Sequence, residues 1–293
     1  MQLQSLIEYL EQICPLELAE DWDNVGLLLG DRQKPIKKIL ACLTIDRAVA
    51  EEAVELGIDC VVSHHPFPFK SAKRWTTDTT DGELLLKLAG SKIAVYSPHT
   101  AHDSALFGVN RQLAEGLGLR DVRSLYPGKL PATKEALDGL DPSDVQNVAK
   151  ELEKRGKKSD ESAPLIGTGR IGALPKPKKF SEPVEQIKDM LQIERLQIVG
   201  DDDKQVKTVA IGCGASDDFI AQAAKEKADV MLLGEARFHA CLEARSKNLA
   251  LVLAGHYATE RFSMCILADR IARKFPELIV QASGKESDPI RVA

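Results

Sequence analysis

Two short apolar runs joined by one helix-length segment constrain this chain most. The run I-L-A-C-L-T-I (39–45) ends at Asp46, a side chain suited to cap a helix over Arg47 to Leu56. Gly57 closes that helix, and I-D-C-V-V-S-H-H-P follows at once as the next strand. Strand, helix and strand at this spacing form a β-α-β unit, which implies a parallel pair joined by a right-handed crossover. From Val206 the layout returns, with strand V-K-T-V-A-I-G-C-G, a helix from Ser216 to Lys227, and strand A-D-V-M-L-L-G-E. Each half then adds a helix and one more apolar run, K-I-A-V-Y-S or L-A-L-V-L-A, which ends in His-x-x-x-acid. The likeness is of layout more than identity. It predicts an internal duplication, with two related α/β halves packed about a pseudo-twofold axis.

Composition narrows the function classes. A chain of 293 residues with 44% hydrophobic and 28% charged content fits an ordinary globular protein. Its net charge of -5, with both signs interspersed, offers no basic stripe for a phosphate backbone, so nucleic acid is not the leading partner. Apolar residues at 3, 6, 7, 10, 13 and 14 have helical spacing, so the N-terminus reads as an amphipathic helix and not as a signal peptide. No apolar run approaches the roughly 20 residues of a membrane span. The six cysteines are scattered without a C-x-x-C pair, which suggests neither a disulfide framework nor a zinc ribbon and makes a reducing cytoplasm the simplest home.

In A-E-D-W-D-N-V-G-L-L-L-G, a structural turn anchored by a buried Trp22 and a site role for Asp23 or Asn24 are both open. Residues 67–82 read as a long polar loop, a surface excursion by default and a lid or interface element otherwise. Helices are predicted near Glu83 to Ala89, Gly108 to Gly118, Pro142 to Arg155 and Glu182 to Leu191. The polar stretch 128–163 reads as an insertion ending in a mobile connector, K-R-G-K-K-S-D-E-S. The expected organisation is a first α/β repeat over 1–127, this insertion, and a second repeat over 164–293. G-T-G-R-I-G lacks the spacing of a phosphate-binding loop and reads as the turn-rich start of a strand, with Arg170 a weak candidate for anion contact.

The chemistry gathers where the apolar runs end. His64 and His65 close one, His99 and Asp103 follow a second, and His256 and Glu260 follow a third. Strand C-terminal ends are where open α/β sheets place ligands. Neutral imidazoles and ionised carboxylates are metal ligands, and five groups, His64, His65, Asp103, His256 and Glu260, with His99 a possible sixth, suit two divalent ions with Glu260 as the bridge. Zinc, iron, manganese and cobalt all match such ligands. Adjacent strand residues point to opposite faces, but Pro66 holds the His64-His65 pair at the strand's end, where both imidazoles can serve one site. The His-x-x-x-acid pairs share a face if each strand turns into a helix, with Thr259 and Ser104 able to cap the turns. Candidate catalytic groups beside the ions are His99, His239 and Glu235. No G-x-S-x-G elbow supports a serine hydrolase, and of the cysteines only Cys241 lies beside these motifs, where it reads as a buried helix residue.

W-D-N-V-G-L-L-L-G, V-V-S-H-H-P-F-P-F, H-T-A-H-D with G-V-N, G-T-G-R-I-G, G-E-A-R-F-H and A-G-H-Y-A-T-E, in this order, resemble the Nif-three-like dinuclear metal-centre family, also labelled GTP cyclohydrolase type-two-like proteins. The resemblance covers nearly the whole chain. It implies two intertwined α/β repeats with mixed, largely parallel sheets, and a toroidal homohexamer whose metal sites face an inner cavity. The family's ligands carry over to His64, His65, Asp103, His256 and Glu260, with His99 ligating or lying just behind them. Family members often carry paired histidines after G-E, whereas Phe238-His239 stands here. The leading functional expectation is a hydrolase with two divalent ions that acts on a small anionic substrate, by ring opening of a nucleotide such as GTP or by phosphoester cleavage. The competing class is a non-catalytic metal-binding or scaffold ring.

Overall fold

The computed structural model describes residues 1–70, 72–128 and 166–291. Helical spacing of apolar residues produces α1 (Leu3–Ile13), which buries Leu3, Leu6, Ile7, Leu10 and Ile13 against the first sheet. The first half continues with β1 (Gly26–Leu29), β2 (Lys38–Cys42), α2 (Arg47–Glu55), β3 (Cys60–Ser63), α3 (Thr80–Gly90), β4 (Ala94–Ser97), α4 (His99–Ser104), α5 (Val109–Gly116) and β5 (Arg120–Pro127). Asp46 caps α2 as expected, its carboxylate accepting from the Val49 amide at 2.8 Å. The second half holds β6 (Gly167–Lys179), α6 (Ser181–Leu191), β7 (Gln197–Val199), β8 (Gln205–Ala215), α7 (Ile220–Lys225), β9 (Val230–Glu235), α8 (Phe238–Ser246), β10 (Ala250–Leu253), α9 (His256–Lys274) and β11 (Ile279–Ala282). The helix expected from Ser216 opens as a 3-10 turn, Asp217–Phe219, before α7. The helix and connector expected within 142–163 lie outside the described residues.

The strands form two mixed α/β sheets, in order β1-β4-β3-β2-β11 and β5-β6-β8-β9-β10-β7. β2, β3 and β4 run parallel, as do β8, β9 and β10, and each trio carries an antiparallel edge strand, β1 on β4 and β7 on β10. Each half also gives its last strand away. β5 joins β6 in the second sheet, while β11 returns to pair with β2 in the first. This exchange intertwines the halves, and α9 packs on β2 and β11 of one sheet and β8 and β9 of the other.

The duplication is written in matching polar posts. Lys34 Nζ donates to the carbonyls of Asp59 (3.1 Å) and Lys92 (2.6 Å), and Lys204 Nζ donates to those of Asp229 (2.9 Å) and Asn248. Asp59 and Asp229 each accept two consecutive amides from the neighbouring strand, Lys37 and Lys38 or Lys207 and Thr208. Gly30 (φ +132°) and Gly200 (φ +135°) precede the two lysines, and a Cβ on either would meet Ala94 or Ala250 at 2.7 or 3.0 Å. The sequence carries this as Gly-Asp-x-x-Lys at 30–34 and 200–204, a shared identity that the comparison of strand layouts passes over.

Of the two readings open for the 22–24 turn, a buried Trp22 anchor is excluded, since Trp22 is 65% exposed. Arg170 is completely buried and offers nothing to an external anion: its guanidinium donates to the carbonyls of Gly167 (2.5 Å), Gly169 (2.7 Å), Ser104 (3.3 Å) and Ala105 (2.6 Å). It thereby ties β6 to the C-terminal end of α4. No described helix is long and apolar enough to cross a membrane, and all six cysteines are unpaired.

Candidate metal centre

The pleat would separate His64 from His65, but β3 ends at Ser63, before them. Their amides still follow β2, His64 donating to the Cys42 carbonyl (2.9 Å) and His65 to that of Leu43 (2.8 Å). The Ser63 hydroxyl bonds the His65 carbonyl at 2.7 Å, and the two rings stand 5.2 Å apart. His64 is 1% exposed, and neither ring nitrogen has a hydrogen-bond partner. Burial holds its pKa well below the usual range, so the ring is neutral. His65 Nδ1 meets the Thr44 hydroxyl at 2.7 Å, which leaves Nε2 for the centre.

Strand β10 supplies the other side. Gly255, at φ +94°, turns the chain into α9, whose first residues present His256 and Glu260 on one face. Glu260 Oε2 lies 3.1 Å from His256 Nε2, 3.2 Å from His65 Nε2 and 3.7 Å from His64 Nε2. Burial alone would raise the pKa of this carboxyl, but hydrogen bonds from His256 and His65 reverse that and hold it far below the usual range. Glu260 raises His256 in turn to about 9 against the opposing effect of burial, helped by Glu235, whose Oε1 is 2.9 Å from His256 Nδ1. Thr259 does not cap the turn; its hydroxyl bonds back to the carbonyls of Gly255 and His256, each at 3.0 Å, and accepts the Gly214 amide at 3.1 Å. Gly214, at φ +57°, completes the cradle, since a Cβ there would stand 2.1 Å from Glu260 Oε1.

The third contribution is α4. His99 Nδ1 is 2.7 Å from Asp23 Oδ1, while the other Asp23 oxygen accepts from the Thr100 amide (3.1 Å) and hydroxyl (2.5 Å). Burial opposes charge on His99, but the Asp23 hydrogen bond together with the charges of Asp103, Asp23 and Glu260 outweighs it and raises the pKa. Asp103 Oδ1 stands 3.6 Å from His64 Nε2 and accepts from the Cys213 thiol at 3.2 Å. Burial, followed by Glu260, lifts its pKa to about 7. Ser104 does not cap its own turn; its hydroxyl faces Thr168 at 3.3 Å.

Two sets of potential ligand atoms result, each within 4.8 Å: His64, His65 and His99, and His65, His256 and Glu260. They share His65. Asp103 stands beside the first set and Glu235 behind the second. His239 does not join them; it lies exposed on α8 against Phe238, with ring centroids 5.7 Å apart. His102 is buried 6.0 Å from the His64 ring, with its pKa lowered to about 4 by burial and then Arg270. Sequence proximity misses Cys213, which reaches Asp103 from a separate strand, and Thr44. It also misses the clasp that fixes Thr44: Glu286 accepts the Leu43 amide at 2.8 Å and pairs with Arg261, the residue after Glu260.

The side-chain chemistry fits divalent cations. His64 is a neutral, desolvated imidazole with unpartnered nitrogens, and Glu260 Oε2 faces three ring nitrogens, as a ligand set requires. Holding a divalent ion there requires an ionised Asp103 and a neutral His256, so loading would release the protons these groups carry below their raised pKa values. Zinc affinity is therefore expected to rise from near neutrality, where Asp103 titrates at about 7, toward pH 9, where His256 titrates. Calorimetry in buffers of different ionisation enthalpy should show net proton release; a pH-independent affinity would contradict this arrangement.

With this geometry in place, the comparisons are specific. A protein of Clostridium perfringens named GTP cyclohydrolase 1 type 2 homolog is 30% identical across 98% of both chains. Human NIF3-like protein 1 is 28% identical across all of this chain and 93% of its own. The crystal structure of a Bacillus cereus protein related to NIF3 superposes with a TM-score of 0.82 over 100% of this chain and 99% of that one, at 23% identity, a likeness of fold. The family model for Duf34/NIF3 (NGG1p interacting factor 3) matches residues 1–289, and the chain belongs to that family.

Proposed function

We propose that the cluster is a dinuclear divalent-metal centre and that the protein is a metal-dependent hydrolase of a nucleotide or another small phosphoester. The observation that carries this is Glu260 Oε2, within 3.7 Å of the Nε2 atoms of His64, His65 and His256, with His65 common to both ligand sets. His64, His65, His256 and Glu260 would hold the ions, with Asp103 and His99 completing the first set. Zinc, iron, manganese or cobalt bound there would supply Lewis acidity toward the substrate and toward water. Asp23 takes the Nδ1 side of His99 and leaves its Nε2 free to ligate or to move a proton. Glu235 and Thr44 hold His256 and His65 with Nε2 toward the centre, the orienting role that carboxylates and hydroxyls play behind metal-bound imidazoles.

Catalysis is favoured over an enclosed scaffold site because one edge is open: the His65 and His256 side chains are 22% and 33% exposed beside the nearly buried His64 and Glu260. The name of the Clostridium relative points to purine ring opening, and the ligands serve phosphoester cleavage equally. A toroidal homohexamer with the centres facing an inner cavity, and a cytoplasmic setting, belong to the same proposal. The test is a panel of nucleotides and phosphoesters offered to protein loaded in turn with zinc, iron, manganese and cobalt. Turnover that a chelator abolishes and metal restores is expected. Silence with every metal would leave the non-catalytic ring standing.

A further inference from the structure

Beside the cluster, two large aromatic rings are held in place without being buried. Trp22 is 65% exposed and Phe69 49%, with ring centroids 6.4 Å apart. Both stand nearly perpendicular to the His99 ring, with centroids 6.0 and 6.1 Å from it. Exposed indole and phenyl faces gain nothing from the fold, and a contiguous pair of them marks an interaction site. What fixes their positions is the polar residues next to them. Asp23 grips His99 and Thr100, while Asn24 Nδ2 donates to the Pro68 carbonyl at 3.1 Å. The segment 22–24 thus ties the loop carrying Phe69 to the helix carrying His99. Beyond Phe69 come Lys70, Lys73 and Arg74, all exposed and with no ion pair among the described residues.

We infer that Trp22 and Phe69 form a stacking rim for the planar heteroaromatic ring of an anionic, mononucleotide-sized ligand whose charged group faces the metal cluster and the Lys70 to Arg74 cations. This rests on reading the cluster as a metal centre and narrows the substrate class to molecules that carry a nucleobase-like ring. Stacking on an exposed aromatic face tolerates any base, so the rim contributes affinity without choosing among bases. Charge complementarity favours this occupant over an apolar one: the segment that carries Phe69 continues directly into three exposed cations, with no ion pair among the described residues, which suit an anionic ligand and not an apolar partner surface.

The test is calorimetric binding of GMP and ribose 5-phosphate to full-length, zinc-loaded protein. GMP is expected to bind about ten- to a hundredfold more tightly. In W22A/F69A that ratio should fall close to one, with zinc content and ribose 5-phosphate affinity unchanged, while W22F/F69Y keeps most of it. A wild-type ratio near one, or a ratio that survives in W22A/F69A, overturns the inference. So does a double variant that alters the assembly mass by light scattering with the ratio intact, since the rim is then a contact between copies of the chain. The metal reading is scored separately, by loss of ribose 5-phosphate binding on chelation.

Discussion

Glu260→Gln is expected to weaken divalent-metal binding by more than about a hundredfold, beyond the roughly 10- to 100-fold that residues behind metal ligands contribute. The substitution preserves shape but removes the negative charge that lies within 3.7 Å of three imidazole nitrogens, where two cations would otherwise repel each other unscreened. Glu235→Gln, which touches only the outer nitrogen of His256, should stay within the 10- to 100-fold range. Isothermal titration with zinc compares the two directly. Equal losses would show that Glu260 does not bridge. The metal-free E260Q protein should also be less stable at neutral pH. The folded-state pKa of Glu260 lies below its unfolded value, so the ionised carboxylate stabilises the fold above the unfolded value, and this contribution is lost as pH falls toward the folded one.

Arg170→Met should produce the largest loss of stability away from the cluster. The guanidinium is fully buried and donates to four backbone carbonyls; methionine fills the volume but donates to none of them, and the Ala105 carbonyl keeps a further donor of its own, the Gly108 amide at 3.1 Å. Stranded acceptors of this kind cost about 1–3 kcal/mol each before relaxation, and removing a buried charge from its partners about 3–5 kcal/mol in total. That corresponds to a drop of about 6–20 °C in the melting temperature of the metal-free protein, read by calorimetry. Arg170→Lys should fall between, because one ammonium cannot span carbonyls on α4 and β6. A shift of only a degree or two would mean that water replaces the guanidinium and that the contact does not anchor α4.

Much of the fold was legible because apolar runs and helix stops report on local structure. The parallel trios, the cap at Asp46 and the placement of ligands at strand ends all follow from patterns a few residues long. The exchange of β5 and β11 does not, since no local pattern says which of two sheets a terminal strand will join. Among site residues, the two His-x-x-x-acid pairs and His64-His65 announced themselves by spacing. Cys213 and Glu286 could not, because they reach the cluster only through tertiary contacts more than a hundred residues long. The exposure of Trp22 is not legible for a physical reason: large aromatic residues are buried on average, and the hydrogen bonds of Asp23 and Asn24 that flank this one are invisible in a composition of turn formers. The turn-rich start of a strand expected at G-T-G-R-I-G is present, but nothing local shows that its own carbonyls enclose Arg170, the weak anion candidate.

The central claim is that one carboxylate and the imidazoles around it hold two ions. Metal quantification by plasma mass spectrometry, on protein purified without chelator and dialysed against metal-free buffer, tests it directly. Two divalent ions per chain are expected for the native sequence and fewer than one for E260Q. A native protein that retains none, or one whose content is unchanged in E260Q, would contradict the dinuclear assignment.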